Sequence, residues 1–258
     1  MSFDENGFLG NEILEIRKKR MEELSEVYKL GYEINNYINI MKFKIEANES
    51  DLKEITVVSM LIKIIHTYNS IILLASYGLE TDAKSLARVI IESAIKFIVI
   101  IKNDNYYRNS FLLEELRTTK NFIETIEKNE DLNDEIKDFA RGYNKTDLQK
   151  KLSRYKPYKM NQLAEEADML DIYFFMYKLY CSNVHTDISN IDDFIIIDDN
   201  KIKWIDSCPK YNSDKAILLL CSDVILRVFE RLSDYKKLGL EADIKSYKDR
   251  VYSYMDKY

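Results

Sequence analysis

A chain of 258 residues, 46% hydrophobic and 32% charged, has the composition of a globular protein long enough to bury a substantial core. Only 6 Gly and 2 Pro punctuate it, which excludes a turn-rich all-β fold and favours long helices. A net charge of −6 excludes coating of nucleic acid by overall charge and leaves room only for a local basic patch.

Met1 to Gly10 carries Asp and Glu instead of the basic and then apolar run of a signal peptide. Cys181, Cys208 and Cys221 show no paired spacing, so the expectation is a cytoplasmic protein with free thiols. The first helix is predicted from about Asn11 to Ala47. Ile13, Leu14, Leu24, Val27 and Leu30 form its apolar stripe, and Arg17-Lys18-Lys19-Arg20 lies on its outer face. Ser50 or Asp51 caps a second helix, with Glu54 placed for a capping box and Gly78 as a natural C′ residue. A third helix starts at Thr81 or Asp82 and runs through Ile101. Both of these segments are strongly apolar, but Lys63, His66 and Asn69 in one and Arg88, Glu92 and Lys96 in the other predict buried helices and no membrane span. His66 reads as a hydrogen-bonded core histidine.

A fourth helix is predicted over Tyr106 to Lys128, and a short one near Asn133 to Ala140. A long helix then runs from about Asn161 to His185, opening on Glu165, Glu166 and Asp168 as the helix dipole favours. Phe194 to Ile197 and Lys201 to Ile205, flanking Asp198-Asp199-Asn200, predict a β-hairpin. Ser213 is placed to cap a helix reaching about Tyr235, and Gly239 precedes a last amphipathic helix. The expected fold is all-α. It is a multi-helix bundle formed by residues 1–258 as a single domain, with 1–50 packing on the bundle and the hairpin inserted at 194–205.

Three groups of residues carry candidate chemistry. Arg88, Glu92 and Lys96 are spaced by four and share a helix face, either as an ordinary ion-paired row or as an arginine held by Glu92 to bind an anion. His185, one of two histidines, closes a helix with Lys178 two turns earlier and Cys181 and Ser182 between. It suits general acid/base work, and the dipole at a helix C-terminus favours a histidine there with no catalytic role at all. The stretch Arg141, Lys145, Lys150, Lys151, Arg154, Lys156 and Lys159 sets seven basic residues against the single acid Asp147, with Tyr143, Tyr155 and Tyr158 interleaved. That pattern fits a single-stranded nucleic-acid site, with Tyr155 a stacking residue, and equally a solvated loop paired with the acidic stretches around it. No Gly-rich phosphate loop, nucleophile elbow or His/Cys metal spacing occurs, and Asp187, Asp192 and Asp193 are read as solvated acids, so no cofactor and no metal are expected.

The pattern Leu74-x-x-x-Gly78-x-x-x-Asp82-Ala83-x-x-Leu86-x-Arg88-x-x-x-Glu92, followed by Tyr177 and Ser182-Asn183-Val184-His185, resembles an uncharacterised family of bacterial helical domains of unknown function. More distantly the chain is similar to the HEPN superfamily of helical proteins. Many members of that superfamily are dimeric, metal-independent ribonucleases of toxin–antitoxin and phage-defence systems. The resemblance implies His185 as general acid/base and Lys178 at the position of the family's arginine, with Ser182 beside them. Lys lacks the bidentate fork of Arg, and Leu179 follows it where a polar residue is usual, so Arg88 becomes the alternative source of a guanidinium. On this reading the chain acts on RNA as a homodimer or as a subunit of a larger assembly. The competing reading is a non-enzymatic binding module or regulatory subunit with a pocket around Arg88, Glu92 and His185. A purely structural helical subunit is the third.

Overall fold

The structure, a computed structural model, describes residues 5–184, 191, 194–198 and 201–256. Its helices are α1 Glu12–Glu23, α2 Ser25–Met41, α3 Leu52–Ser76, α4 Glu80–Lys102, α5 Asp104–Asn109, α6 Glu114–Lys128, α7 Asp134–Arg141, α8 Lys145–Lys151, α9 Met160–Glu166, α10 Leu170–Ile172, α11 Lys178–Val184, α12 Asp214–Lys236 and α13 Glu241–Met255. The hairpin strands are β1 Ile195–Asp198 and β2 Lys201–Ile205. The fold is all-α with one small antiparallel hairpin, as the composition and periodicity predict.

α3 and α4 pack along each other, and α12 lies across both while also touching α2 and α13. Their buried faces are stacked with β-branched and small residues, Ile64, Ile65 and Ile71 on α3, Ala87, Ile90, Ala94 and Ile98 on α4, and Val224 and Val228 on α12, with Phe229 the bulky exception. One polar node crosses this core, where the Tyr68 hydroxyl meets the Ser222 hydroxyl at 2.8 Å. A second, smaller apolar cluster of Ile123, Ile126, Ala140 and Leu148 ties α6, α7 and α8 together.

Capping chemistry sets most boundaries. The Asp51 carboxylate accepts from Lys53 N and Glu54 N at 2.8 and 3.3 Å, while the Glu54 carboxylate accepts from Asn48 N instead of closing a box with its own cap. α3 ends in a full Schellman turn, with Leu79 N–H donating to Leu74 O at 3.0 Å and Gly78 N–H to Ala75 O at 3.1 Å. Gly78 supplies the required φ of +72°. A Cβ there would stand 2.5 Å from Pro209 Cβ, so this turn also seats the chain that returns from the hairpin.

Several predicted helices are divided. The first breaks at Leu24 (φ −109°, ψ 35°). The fourth breaks at Ser110, whose hydroxyl donates to Lys156 O at 2.6 Å while Lys156 N donates to Asn109 O at 2.9 Å. The helix expected over Asn161 to His185 is interrupted by a second Schellman turn with Asp168 at φ 57°, then resumes with a π turn over Tyr173–Tyr177. Lys102 and Arg231 both reach the Asp168 carboxylate, at 2.7 and 3.2 Å, which holds that residue in its left-handed conformation. Ser213 occupies the N-cap of α12 but offers no side-chain cap; its N–H donates to Glu80 at 2.9 Å.

Leu52–Ser76 is the one helix among the described residues long and apolar enough to cross a membrane by length and composition. Its exposed stripe carries Ser59, Lys63 and His66. His66 is therefore exposed, which corrects the expectation of a core histidine: it falls on the side of α3 turned away from α4 and α12.

Candidate functional site

Spacing by four places Arg88, Glu92 and Lys96 in one row on α4, beside the face that the buried residues Ala87, Ile91 and Ile95 turn to the core. The π turn Tyr173–Tyr177 and α11 pack against α4. Tyr177 and Cys181, four apart, both meet Arg88: Nη2 donates to Tyr177 Oη at 3.0 Å and Nε to Cys181 Sγ at 3.4 Å. The guanidinium also lies over the Tyr177 ring, 4.9 Å from its centroid. Glu92 closes the cluster, with Oε2 at 3.5 Å from Arg88 Nη1 and Oε1 at 2.7 Å from Lys96 Nζ, while Tyr177 Oη donates to it at 3.4 Å.

The electrostatics follow from this crowding. Burial pushes the Glu92 carboxyl up, but Lys96 first, then Arg88 and Tyr177, more than offset it and hold it below the ordinary carboxylate range. Burial together with the neighbouring Glu92 charge pushes the Tyr177 phenol up to about 12, so it remains a neutral donor. Arg88 is a fixed cation with its plane braced by a ring, a thiol and a carboxylate.

Lys178 takes a different place. It is exposed, and its ammonium lies 4.8 Å from the Phe174 centroid and 5.7 Å from that of Tyr173. Tyr173 in turn stacks on Tyr177 at 5.2 Å with 21° between the planes. Two cations, Arg88 and Lys178, thus flank a stacked pair of tyrosine rings. His185 and the side chain of Ser182 lie outside the described residues, as do Asp187, Asp192 and Asp193. Among the described residues no group of three or more His, Cys, Asp or Glu side chains is placed to hold a metal ion.

The basic segment folds into α8, a 3₁₀ turn over Leu152–Arg154 and an extended run to Lys159. Arg141 pairs with Asp138 at 2.6 Å, Lys151 with Asp147 at 2.7 Å and Lys145 with Glu127. Those three are spent on local acids, as the solvated reading expects. Lys150, Arg154 and Lys156 are exposed and carry no ion pair among the described residues. Tyr155 turns inward, its hydroxyl donating to Glu114 at 2.8 Å under the Arg117 guanidinium.

Sequence reasoning missed one role entirely. The run Arg17-Lys18-Lys19-Arg20 is not all on an outer face: Arg17 Nε donates to Ser76 at 2.9 Å, and Arg20 grips Asp214. The missed signal was the acid at the first position of α12, the only buried aspartate at a helix start among the described residues.

A family model described as a family of unknown function, DUF5677, matches residues 54–202, more than half of the chain. No curated protein and no solved structure matches it.

Proposed function

This chain belongs to the DUF5677 family, and on that premise we propose that it is a HEPN-like helical protein that cleaves RNA without a metal, acting as a dimer in the manner of a defence or toxin effector. The observation that carries the reading is the bond from Arg88 to Cys181, because Cys181 stands four residues before His185 on the helix that leads to it. It ties the helix of the Arg-x-x-x-Glu row to α11, the helix on which the Ser-x-x-His stretch begins one residue later. Among the described residues Arg88 donates through Nε to Cys181 and through Nη2 to Tyr177, with Nη1 ion-paired to Glu92 at 3.5 Å, so N–H groups remain that no described hydrogen bond takes and that could meet a phosphate oxygen.

In this reading His185 serves as general acid/base on the phosphodiester, Arg88 stabilises the charge that develops on phosphorus-bound oxygen, and Glu92 keeps the guanidinium in plane. The 2′-hydroxyl attacks phosphorus, the bond to the 5′-oxygen breaks, and the proton lost by one oxygen is returned to the other. Lys178 and Ser182 are auxiliary, and Lys150, Arg154 and Lys156 guide the strand. The test is cleavage of single-stranded RNA in the presence of a metal chelator by wild type, His185→Ala and Arg88→Ala. Loss of cleavage in both folded variants supports the reading, and no cleavage by pure wild-type protein sinks it.

The second reading rests on the same bonds. Arg88 is braced on three sides, as a strut between α4 and α11 would be, which favours a non-enzymatic binding module or regulatory subunit. Under it Arg88→Ala lowers stability and wild type leaves RNA intact.

A further inference from the structure

The charged row on α4 ends at Lys96, and Lys96 lines a cavity of about 280 Å³ between α4, α5, α6 and the extended run that follows α8. Three tyrosines from two segments, Tyr106 on α5 and Tyr155 and Tyr158 on the extended run, line the same space with Glu114 and Arg117. Tyr106 and Tyr158 meet edge to face, with centroids 5.3 Å apart and planes at 84°. The wall they form is built, not loose: the Ser110–Lys156 and Lys156–Asn109 hydrogen bonds pin the segment that carries Tyr155 and Tyr158. A pinned wall removes part of the ordering cost of binding.

We propose that this cavity binds a nucleoside monophosphate, either free or as one unit of a single RNA strand. The tyrosine rings offer the apolar, π-bearing surface on which a base stacks without regard to its identity. Arg117 and Lys96 offer cations for the phosphate. Glu114 offers an acceptor for a base N–H. Its two oxygens accept from Arg117 at 2.6 Å and Tyr155 at 2.8 Å, about half of the roughly four lone-pair directions a carboxylate has. The volume of about 280 Å³ lies just under the range of about 300–1,000 Å³ usual for drug-sized ligands, a size that suits one nucleotide unit. A wholly apolar ligand would desolvate Lys96, Arg117 and Glu114 with no return, and a bare phosphate would leave the rings unused. Only a ligand with a flat donor-bearing ring and an anion uses all six residues. The site requires binding alone, and stands whether or not His185 cleaves anything.

The test is calorimetric titration of the full chain with each of the four nucleoside 5′-monophosphates, with inorganic phosphate and with a six-residue oligoribonucleotide. Saturable binding of at least one mononucleotide or of the oligonucleotide is expected, weakened at least tenfold in both Arg117→Gln and Tyr155→Ala. Tyr155→Phe, which keeps the ring, should stay within about threefold of wild type. If only mononucleotides bind, the ligand is free nucleotide; if the oligonucleotide binds and competes with them, it is the strand. Because Arg117 is partly exposed, Arg117→Gln remains informative should Tyr155→Ala fail to fold. Absence of saturable binding, binding unchanged in Arg117→Gln, or inorganic phosphate competing as well as nucleotides would each overturn the proposal.

Discussion

Arg20 holds Asp214 with both prongs of its guanidinium, Nε and Nη2 each 2.9 Å from a carboxylate oxygen. The Asp214 side chain is only 2% exposed and accepts one further side-chain bond, from Tyr28 at 3.2 Å. The pair fixes α1 to the start of α12, the helix at the centre of the core. Removing one partner of such a pair leaves a buried charge uncompensated, at a cost of roughly 2–4 kcal/mol after allowing for the partly exposed Arg20. Arg20→Ala is therefore expected to lower the urea unfolding free energy by that amount. Lys19→Ala, one residue away, should change it by less than about 0.5 kcal/mol. Equal effects of the two would show that α1 is not anchored through this pair.

Gly78 and Gly239 share a left-handed backbone, φ +72° and +69°, but not their surroundings. At Gly239 an added Cβ meets nothing within 4 Å; at Gly78 it meets Pro209 and Lys210 at 2.5 and 3.0 Å. Gly239→Ala should cost only the backbone penalty, about 1 kcal/mol. Gly78→Ala adds displacement of the Pro209 backbone and should cost at least about 2 kcal/mol. Paired thermal melts read the difference directly.

Glu92 makes a pH prediction with a definite sign. Its folded pKa is depressed, chiefly by Lys96, so its contribution is present above the unfolded value and is lost as pH falls through the folded one. Glu92→Gln should destabilise the protein by about 1 kcal/mol near neutral pH, and the gap should close on acidification below about pH 4. A gap that stays constant with pH would mean that the lost interaction is a neutral hydrogen bond.

Much of this was legible in the chain, and the failures share a physical cause. Asp51 and Gly78 announce their boundaries because caps and left-handed turns are local chemistry. The row of Arg88, Glu92 and Lys96 is legible for the same reason, being a consequence of helical repeat. The breaks at Ser110 and Asp168 carry no Gly or Pro; they are made by Lys156 in one case and by Lys102 and Arg231 in the other, partners distant in sequence. Arg17 and Arg20 look like solvated charge until Ser76 and Asp214 are brought to them. Tyr155 reads as one aromatic of a basic loop, and its bond to Glu114 and its place beside Arg117 come from α6, a partner distant in sequence.

Trp204, the single tryptophan, is 70% exposed on a hairpin whose Ile197, Ile202 and Ile205 are also exposed. Its emission should resemble that of tryptophan in water and be readily quenched by acrylamide. In the proposed dimer, any involvement of the hairpin would appear as a blue shift that grows with protein concentration. A blue-shifted spectrum at every dilution would place Trp204 against its own chain, contrary to the exposure observed.

The helix α12 buries Ile217, Leu218, Val224, Ile225, Val228, Phe229 and Leu232, and it does so largely against α3 and α4. The family match takes in nearly all of α3 and the whole of α4 but stops at residue 202, before α12 begins. The line drawn by similarity and the line drawn by folding are thus different lines. Cut out by itself, the 54–202 fragment would turn the inner faces of α3 and α4 to water and should aggregate, while the full chain stays dispersed. In this chain the apolar companion of those two helices is α12, which lies wholly outside the matched segment.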